Sequence, residues 1–130
     1  MTKTLAPTFF KITILYLMAL TAIAVQSLPS SGADAVVASW YGQSYRGKPT
    51  ASGERFDPAD HTCAHSTLPF GTLIEVSRSD RPNRVVVRVN DRGPISGGRG
   101  IDLSEAAARP LGLIAAGVAE VMVEVIGWVD

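Results

Sequence analysis

The stretch that decides the fold lies at residues 84–94 and reads RVVVRVNDRGP. Valines at every second position from Val85 to Val89 predict a half-buried β-strand, because successive side chains of a strand point to opposite faces. The Gly-Pro pair at residues 93–94 predicts a turn directly after Asp91. The sequence therefore predicts a strand that ends on a carboxylate.

Further short strands are predicted on both sides of this stretch, at residues 36–42, 62–66, 72–78, 101–103 and 121–126. A polar loop with several Gly and Pro, residues 43–60, separates the first two, and long loops of this kind often carry function. Ser104 predicts the N-cap of a helix over residues 105–108. Pro110 predicts its end, because proline inside a helix costs about 3 kcal/mol. Five or six short strands and one small helix indicate a mainly β domain.

Length and composition limit what the domain can be. The 130 residues fit one domain at most, which excludes a two-domain enzyme. The 12 Lys and Arg balance the 12 Asp and Glu, so no strongly basic surface indicates a nucleic-acid partner. The chain has one Cys and therefore no internal disulfide, so its core must stabilise a small domain alone. That requirement favours a closed sheet, in which no strand edge is exposed.

The N-terminal segment has the layout of a secretory signal peptide. Residues 12–33 carry no charge and follow two lysines, and an A-x-A cleavage pattern ends at Ala35. We therefore expect residues 1–35 to be a cleaved signal peptide and residues 36–130 to be the mature domain, with Asp34 as the alternative start. This interpretation predicts an exported protein, either periplasmic or secreted.

We expect no stable membrane anchor. A bacterial lipoprotein needs a Cys directly after its apolar segment, and the only Cys of the chain, Cys63, lies within the mature domain. An uncleaved anchor helix is the alternative, because about 20 apolar residues can span a bilayer. Polar residues such as Gln26 and Ser27 interrupt the apolar run and favour cleavage.

One cluster of side chains could hold a metal ion. His61, Cys63 and His65 occupy alternate positions, so a regular strand would place these three potential zinc or copper ligands on one face. No fourth ligand is evident, and a lone Cys is usually a small buried hydrophobic residue. We therefore expect neither a metal ion nor another cofactor.

Five separated motifs follow one another along the chain: SWYG at residues 39–42, TASGE at 50–54, AHSTLPFGT at 64–72, VNDRGP at 89–94 and IDLS at 101–104. In this order the chain resembles the rare lipoprotein A family of bacterial lytic transglycosylases, over residues 37–126. The resemblance implies a six-stranded double-psi β-barrel with one or two short helices, an architecture also found in expansins. It further implies an enzyme whose partner is the glycan strand of peptidoglycan. We expect this enzyme to be a monomer.

The resemblance implies a lyase that cleaves the β-1,4 bond between N-acetylmuramic acid and N-acetylglucosamine and leaves 1,6-anhydro ends. The sugar's own 6-hydroxyl is the nucleophile, and tethered attack can supply effective molarities of about 10⁵ M or more, so one protein acid/base suffices. The family pattern puts that acid/base at Asp91 and a second carboxylate at Glu54, across the same groove. The alternative for Asp91 is a cap of its own turn, and for Glu54 a solvated loop charge.

The resemblance assigns substrate binding to Tyr41, His65, Arg92 and Asp102. We expect Tyr41 to face the groove while Trp40 packs inside, because neighbours in a strand point to opposite faces. His65 could bind the carboxylate or a sugar hydroxyl, or its hydrogen bonds could be satisfied within the barrel. Asp102 is the reserve acid, with a contact at the helix entry as its alternative.

The chain departs from the family pattern in two respects. It lacks the lipoprotein Cys, and no segment after Asp130 corresponds to the C-terminal glycan-binding repeat domain of many members. The second departure leaves septal targeting open. A different class of function is the alternative, namely a non-catalytic, expansin-like module that binds the cell wall through the same groove.

Overall fold

The computed structural model of the chain describes residues 32–93 and 98–130. The predicted signal peptide lies outside the described residues, apart from residues 32–35. Residues 94–97, which include the proline of the turn predicted after Asp91, lie outside them as well. Within the described ranges, no helix is both long enough and apolar enough to cross a membrane.

Six strands close into a β-barrel: β1 (Asp34–Tyr41), β2 (Thr62–Ala64), β3 (Thr72–Ser77), β4 (Arg84–Asp91), β5 (Arg99–Ser104) and β6 (Ala119–Trp128). Around the barrel the order is β1-β5-β2-β4-β3-β6, and β6 pairs back to β1. The pairs β1/β5 and β2/β4 are parallel, whereas the other neighbours are antiparallel. This architecture confirms the prediction of a closed, mainly β domain.

Two short helices follow β5, namely α1 (Glu105–Ala108) and α2 (Leu113–Ala116), and a 3₁₀ turn (Gln43–Tyr45) lies in the long loop. Ser104 Oγ accepts a hydrogen bond from the Ala107 N–H at 3.4 Å, which confirms the predicted N-cap. Helix α1 ends before Pro110, as predicted. The position of α2 was not evident from the sequence, because its four residues are too few to show a helical period.

Strands β2, β5 and β6 are among those whose bounds differ from the predicted ones. Strand β2 stops at Ala64, because the ring of His65 accepts the backbone N–H groups of Thr67 and Leu68 and holds a turn there. Strands β5 and β6 extend beyond their predicted ends. Each of these two strands pairs with a neighbour on both sides, and the sequence does not show that pairing.

The core lies inside the barrel. Val85, Val87 and Val89 are buried while Val86 is exposed, which confirms the predicted period of two. Each fully buried aliphatic side chain stabilises the fold by about 1.5–3 kcal/mol. Cys63 is free and buried, as predicted for a small hydrophobic residue. The packed core thereby holds the strand ends from which the polar residues project.

Candidate active site

A row of small and polar residues crosses four strands on the side of the sheet that faces away from the core. Ser39 in β1 pairs with Asp102 in β5. Ala64 in β2 pairs with Asp102 on one side and with Asp91 in β4 on the other. Adjacent strands lie about 4.8 Å apart, so the backbones of the two aspartates lie about 10 Å apart. The small side chain of Ala64 between them leaves room for both carboxylates to reach one site.

A β-bulge brings Asp91 into this row. The pairing of β2 with β4 runs from Cys63–Val89 to Ala64–Asp91, so Asn90 is the extra residue. Val89 faces the core, and in a regular strand Asp91 would face it too. The bulge therefore turns the carboxylate away from the core, which is a common use of bulges beside functional sites.

Asp91 and Asp102 line one open cavity of about 300 Å³, together with Tyr41, Tyr45, Ala64, Arg92, Gly93 and Arg99. A second cavity of about 580 Å³ shares four of these residues and extends past the end of β1. We call the two cavities together the acid cleft. Of the six residues predicted for the site, all but Glu54 and His65 line the acid cleft.

Asp91 is held by the backbone on one of its two oxygens. Its Oδ1 accepts the N–H groups of Ala51 and Arg92, both at 2.9 Å. Gly93 has a φ of +126°, which favours glycine, and lets the chain turn directly behind the carboxylate. Asp91 therefore caps its turn, as the alternative interpretation predicted, and both of these bonds fall on Oδ1.

Asp102 is half-buried and belongs to a short chain of hydrogen bonds. Arg99 Nη1 donates to Ser39 Oγ, and Ser39 Oγ donates to Asp102 Oδ1, both at 2.9 Å. Burial raises the pKa of Asp102, and the nearby charge of Asp91 raises it further, while Ser39 and Arg99 oppose the shift. Asp102 therefore keeps a proton at a higher pH than an ordinary aspartate does.

Tyr41 lines the acid cleft. It packs on Phe56 with 4.4 Å between ring centroids, and its neighbour Trp40 packs against the core but also lines the part of the acid cleft past the end of β1. Burial and the two nearby aspartates raise the pKa of Tyr41, so its hydroxyl stays protonated. Thr62 is its polar neighbour, yet neither buried hydroxyl oxygen has a partner in hydrogen-bond geometry among the described residues.

Glu54 lies in a different place from the predicted one. Both of its oxygens bind the Arg88 guanidinium, at 2.7 and 2.8 Å, and these bonds lower the pKa of Glu54. The pair lines a separate cavity of about 900 Å³ that also contains Phe70 and Trp128. Glu54 therefore lines this cavity as the partner of a cation from β4, whereas Asp91 lines the acid cleft.

His65 organises a turn beside the acid cleft. Its Nδ1 accepts two backbone N–H groups, and the backbone N–H of His65 donates to the carbonyl of Asp91 at 3.1 Å. Burial, followed by the charge of Arg92, lowers the pKa of His65, so the ring is neutral near neutral pH. These contacts favour the interpretation of a satisfied barrel histidine, and the side chain lines another cavity.

Arg92 holds the same turn from the other side. Its guanidinium donates to the carbonyls of His65 and Leu68, at 3.1 and 2.8 Å, and lies 4.0 Å from the ring centroid of Phe70. This placement keeps the charge at the rim of the acid cleft. Arg92 therefore contributes to the site through its position in the turn.

The three residues considered as metal ligands do not form a cluster. His61 is exposed, His65 uses Nδ1 for the turn, and burial raises the pKa of the Cys63 thiol to about 12. Across residues 32–93 and 98–130, no group of three or more His, Cys, Asp or Glu side chains is arranged to hold a metal ion. The alternative metal interpretation therefore has no geometric support.

Sequence reasoning missed three residues that shape these sites. Ser39 shares the strand face of Tyr41, and this parity could have placed it in the acid cleft. Arg99 and Arg88 have no comparable signal. Their partners lie 60 and 34 residues away along the chain, so only the folded barrel brings them together.

The mixed barrel and its paired aspartates define a class, the double-psi β-barrel proteins with an acidic cleft. Two solved structures share the fold. The Streptomyces papain inhibitor has a TM-score of 0.58 at 23% identity, over 75% of this chain and 97% of its own. An expansin of Clavibacter michiganensis has a TM-score of 0.58 at 25% identity, over 72% of this chain and 50% of its own.

Within that class, the model of a family described as "Lytic transglycolase" matches residues 33–123, and the chain belongs to this family. A protein of Nostoc sp. named "Probable endolytic peptidoglycan transglycosylase RlpA" is 54% identical over 93 residues, 70% of this chain and 25% of the relative. The "Endolytic peptidoglycan transglycosylase RlpA" of Campylobacter jejuni is 47% identical over 92 residues, which are 71% of this chain and 34% of the relative. The chain thus spans about a quarter to a third of the length of the curated relatives it matches.

Proposed function

We propose that this chain is a peptidoglycan lytic transglycosylase. It cleaves the β-1,4 bond between N-acetylmuramic acid and N-acetylglucosamine and leaves 1,6-anhydro ends. Membership of the lytic transglycolase family and the names of the relatives support this proposal. The observation that carries it is the placement of Asp91 and Asp102 in one open cleft, on either side of Ala64.

The environments of the two carboxylates favour a division of acid and base roles. Asp102, whose pKa is raised by burial and by Asp91, is the proton donor to the glycosidic oxygen. Asp91, which lines the same cleft, accepts the proton of the 6-hydroxyl as that oxygen bonds to the anomeric carbon. Asp102 gives one proton and Asp91 takes one. The bond to the leaving sugar breaks, and no water is consumed.

Aromatic side chains support a sugar in the acid cleft. Tyr45 is exposed at its edge and meets Tyr41 edge-to-face, with 5.7 Å between the ring centroids. Rings with an apolar face and a polar edge suit the alternating surfaces of a pyranose. Tyr41 keeps its hydroxyl proton beside the two aspartates.

Export is part of the proposal. Asp34 and Ala35 pair with Val123 and Met122 in β6, so a mature chain that starts at Asp34 keeps two more barrel pairs than one that starts at Val36. This pairing supports cleavage between Ala33 and Asp34. N-terminal sequencing of the protein recovered from outside the cytoplasm tests the site, and an intact Met1 in a membrane fraction would contradict cleavage.

A second function has one observation in its favour. The likeness to an expansin is compatible with a module that binds the cell wall without cleaving it. Incubation of the protein with purified peptidoglycan, followed by mass analysis of the soluble muropeptides, separates the two functions. The proposed lyase releases anhydro ends, lighter by one water than the reducing ends of a hydrolase, whereas a binding module releases no product.

A further inference from the structure

The cavity that contains Glu54 is an exposed apolar groove outside the acid cleft. We call it the outer groove and define it by Glu54, Phe70, Arg88, Val125 and Trp128. Trp128 is 78% exposed, Val125 51% and Phe70 41%. Large apolar side chains clustered on a surface in this way mark binding sites.

The polar wall of the outer groove limits the chemistry of its ligand. The Glu54–Arg88 pair has no net charge and is partly exposed, at 38% and 31% of the two side chains. Asp130 adds a negative charge at the rim, which disfavours an anionic ligand. A fixed pair of acceptor and donor groups beside two aromatic rings fits an uncharged ligand with apolar faces and many hydroxyl groups, which is the chemistry of a pyranose.

The outer groove is continuous with the acid cleft through one side chain. Arg92 lines the acid cleft, and its guanidinium lies 4.0 Å from the ring centroid of Phe70, which lines the outer groove. A polymer that leaves the acid cleft over Arg92 therefore reaches Phe70 next. This continuity points to one extended ligand on both surfaces, in preference to two unrelated ligands.

We propose that the outer groove is a second saccharide-binding subsite, which holds sugar rings of the same glycan strand away from the scissile bond. Trp128 and Phe70 stack on the rings, and Glu54 and Arg88 bind their hydroxyl groups. The inference rests on the proposed transglycosylase function, because an enzyme that cuts within a strand must hold sugars on both sides of the cut. It makes Glu54 a binding residue that takes no part in proton transfer.

The test uses the full chain and peptide-free glycan strands prepared from amidase-treated peptidoglycan. In an Asp91→Asn background, Trp128→Ala should weaken binding about tenfold, since burying an indole face against a sugar is worth roughly 1.4 kcal/mol. In the active protein Trp128→Ala should raise KM by a similar factor and retain kcat. Ile126→Ala is the matched control, because Ile126 is 50% exposed on the same strand and lies outside the outer groove.

The outcomes separate this inference from the proposed function. Anhydro products together with unchanged binding in Trp128→Ala would overturn the subsite and leave the transglycosylase standing. Glycan binding that depends on Trp128, without any product from the unsubstituted protein, would support the subsite and overturn the transglycosylase. A change of oligomeric state in Trp128→Ala at unchanged glycan affinity would overturn the subsite and make the groove an interface between copies of the chain.

Discussion

Asp102 in the acid cleft and Glu54 in the outer groove are carboxylates of the same barrel, and their surroundings move their pKa values in opposite directions. Burial and a second carboxylate raise the pKa of Asp102, whereas two hydrogen bonds from Arg88 lower that of Glu54. A carboxylate must hold a proton before it can give one to a leaving group. The surroundings of each carboxylate therefore set which of the two holds a proton more readily. Membership of a motif does not distinguish them, because both residues lie in one.

The largest expected effect comes from Asp91→Asn. The amide oxygen can still accept the N–H groups of Ala51 and Arg92, so the fold should survive. Loss of the base should lower turnover by about 10³–10⁴-fold. Mass analysis of muropeptides measures the remaining anhydro product. Retained turnover in a folded Asp91→Asn protein would contradict a catalytic role for the acid cleft.

Asp102→Asn should lower turnover by about 10²-fold or more, because the leaving oxygen loses its proton donor. The same variant has a signature in stability. The pKa of Asp102 is raised in the folded state, so its favourable contribution is complete below the ordinary aspartate range and is lost as the pH rises through the folded pKa.

Urea unfolding at acidic and neutral pH checks that sign. The free energy of unfolding of Asp102→Asn, relative to the unsubstituted protein, should increase from acidic to neutral pH. The opposite trend would mean that Arg99 and Ser39 outweigh burial. The pKa of Asp102 would then be lowered, as that of Glu54 is.

Glu54→Gln should cost about 0.5–1 kcal/mol of stability at neutral pH, because the pair with Arg88 is partly exposed to solvent. The pKa of Glu54 is lowered, so this contribution is present above the ordinary glutamate range and is lost as the pH falls through the folded pKa. Thermal unfolding against pH should show the two proteins converging in acid.

A matched ion pair sharpens this test. Glu75 and Arg84 pair at 2.7 Å on neighbouring strands and line neither the acid cleft nor the outer groove. Glu75→Gln should lose stability of the same order as Glu54→Gln, and its glycan cleavage should be unchanged. A fall of kcat in Glu54→Gln comparable to that of Asp91→Asn would return Glu54 to the catalytic machinery.

Ser39→Ala is expected to change the pH profile of the acid cleft. Removal of its hydrogen bond costs about 1 kcal/mol of stability and raises the pKa of Asp102 further, because that bond favours the charged carboxylate. Activity that requires protonated Asp102 falls as the pH rises, so its alkaline limb should move to higher pH. The pH profile of kcat/KM measures the shift, and a shift to lower pH would contradict the role of Asp102 as acid.

The sequence predicts well the features that depend on neighbouring residues. The period of two located β4, and the N-cap at Ser104 located α1. These predictions hold in the folded domain because strand and helix geometry fix the direction of each side chain along the chain.

Features that depend on distant partners could not be predicted in the same way. The motif around Glu54 shows an acid and cannot show that Arg88, 34 residues later, neutralises it. The bulge at Asn90 is equally hidden, because it is defined only by the partner strand β2. Pairing across the barrel is a property of the closed sheet, and a one-residue slip reverses the direction of every later side chain.

The row of residues under the acid cleft also has a consequence for the timing of folding. Ser39 and Asp102 are 63 residues apart, and Ala51 and Asp91 are 40 apart, so the cleft is made of contacts between remote parts of the chain. Domains dominated by such contacts fold in roughly milliseconds to seconds, more slowly than helical bundles. Because Ser39 and Ala51, which hold the two aspartates, are remote from them along the chain, the acid cleft is complete only when the barrel closes.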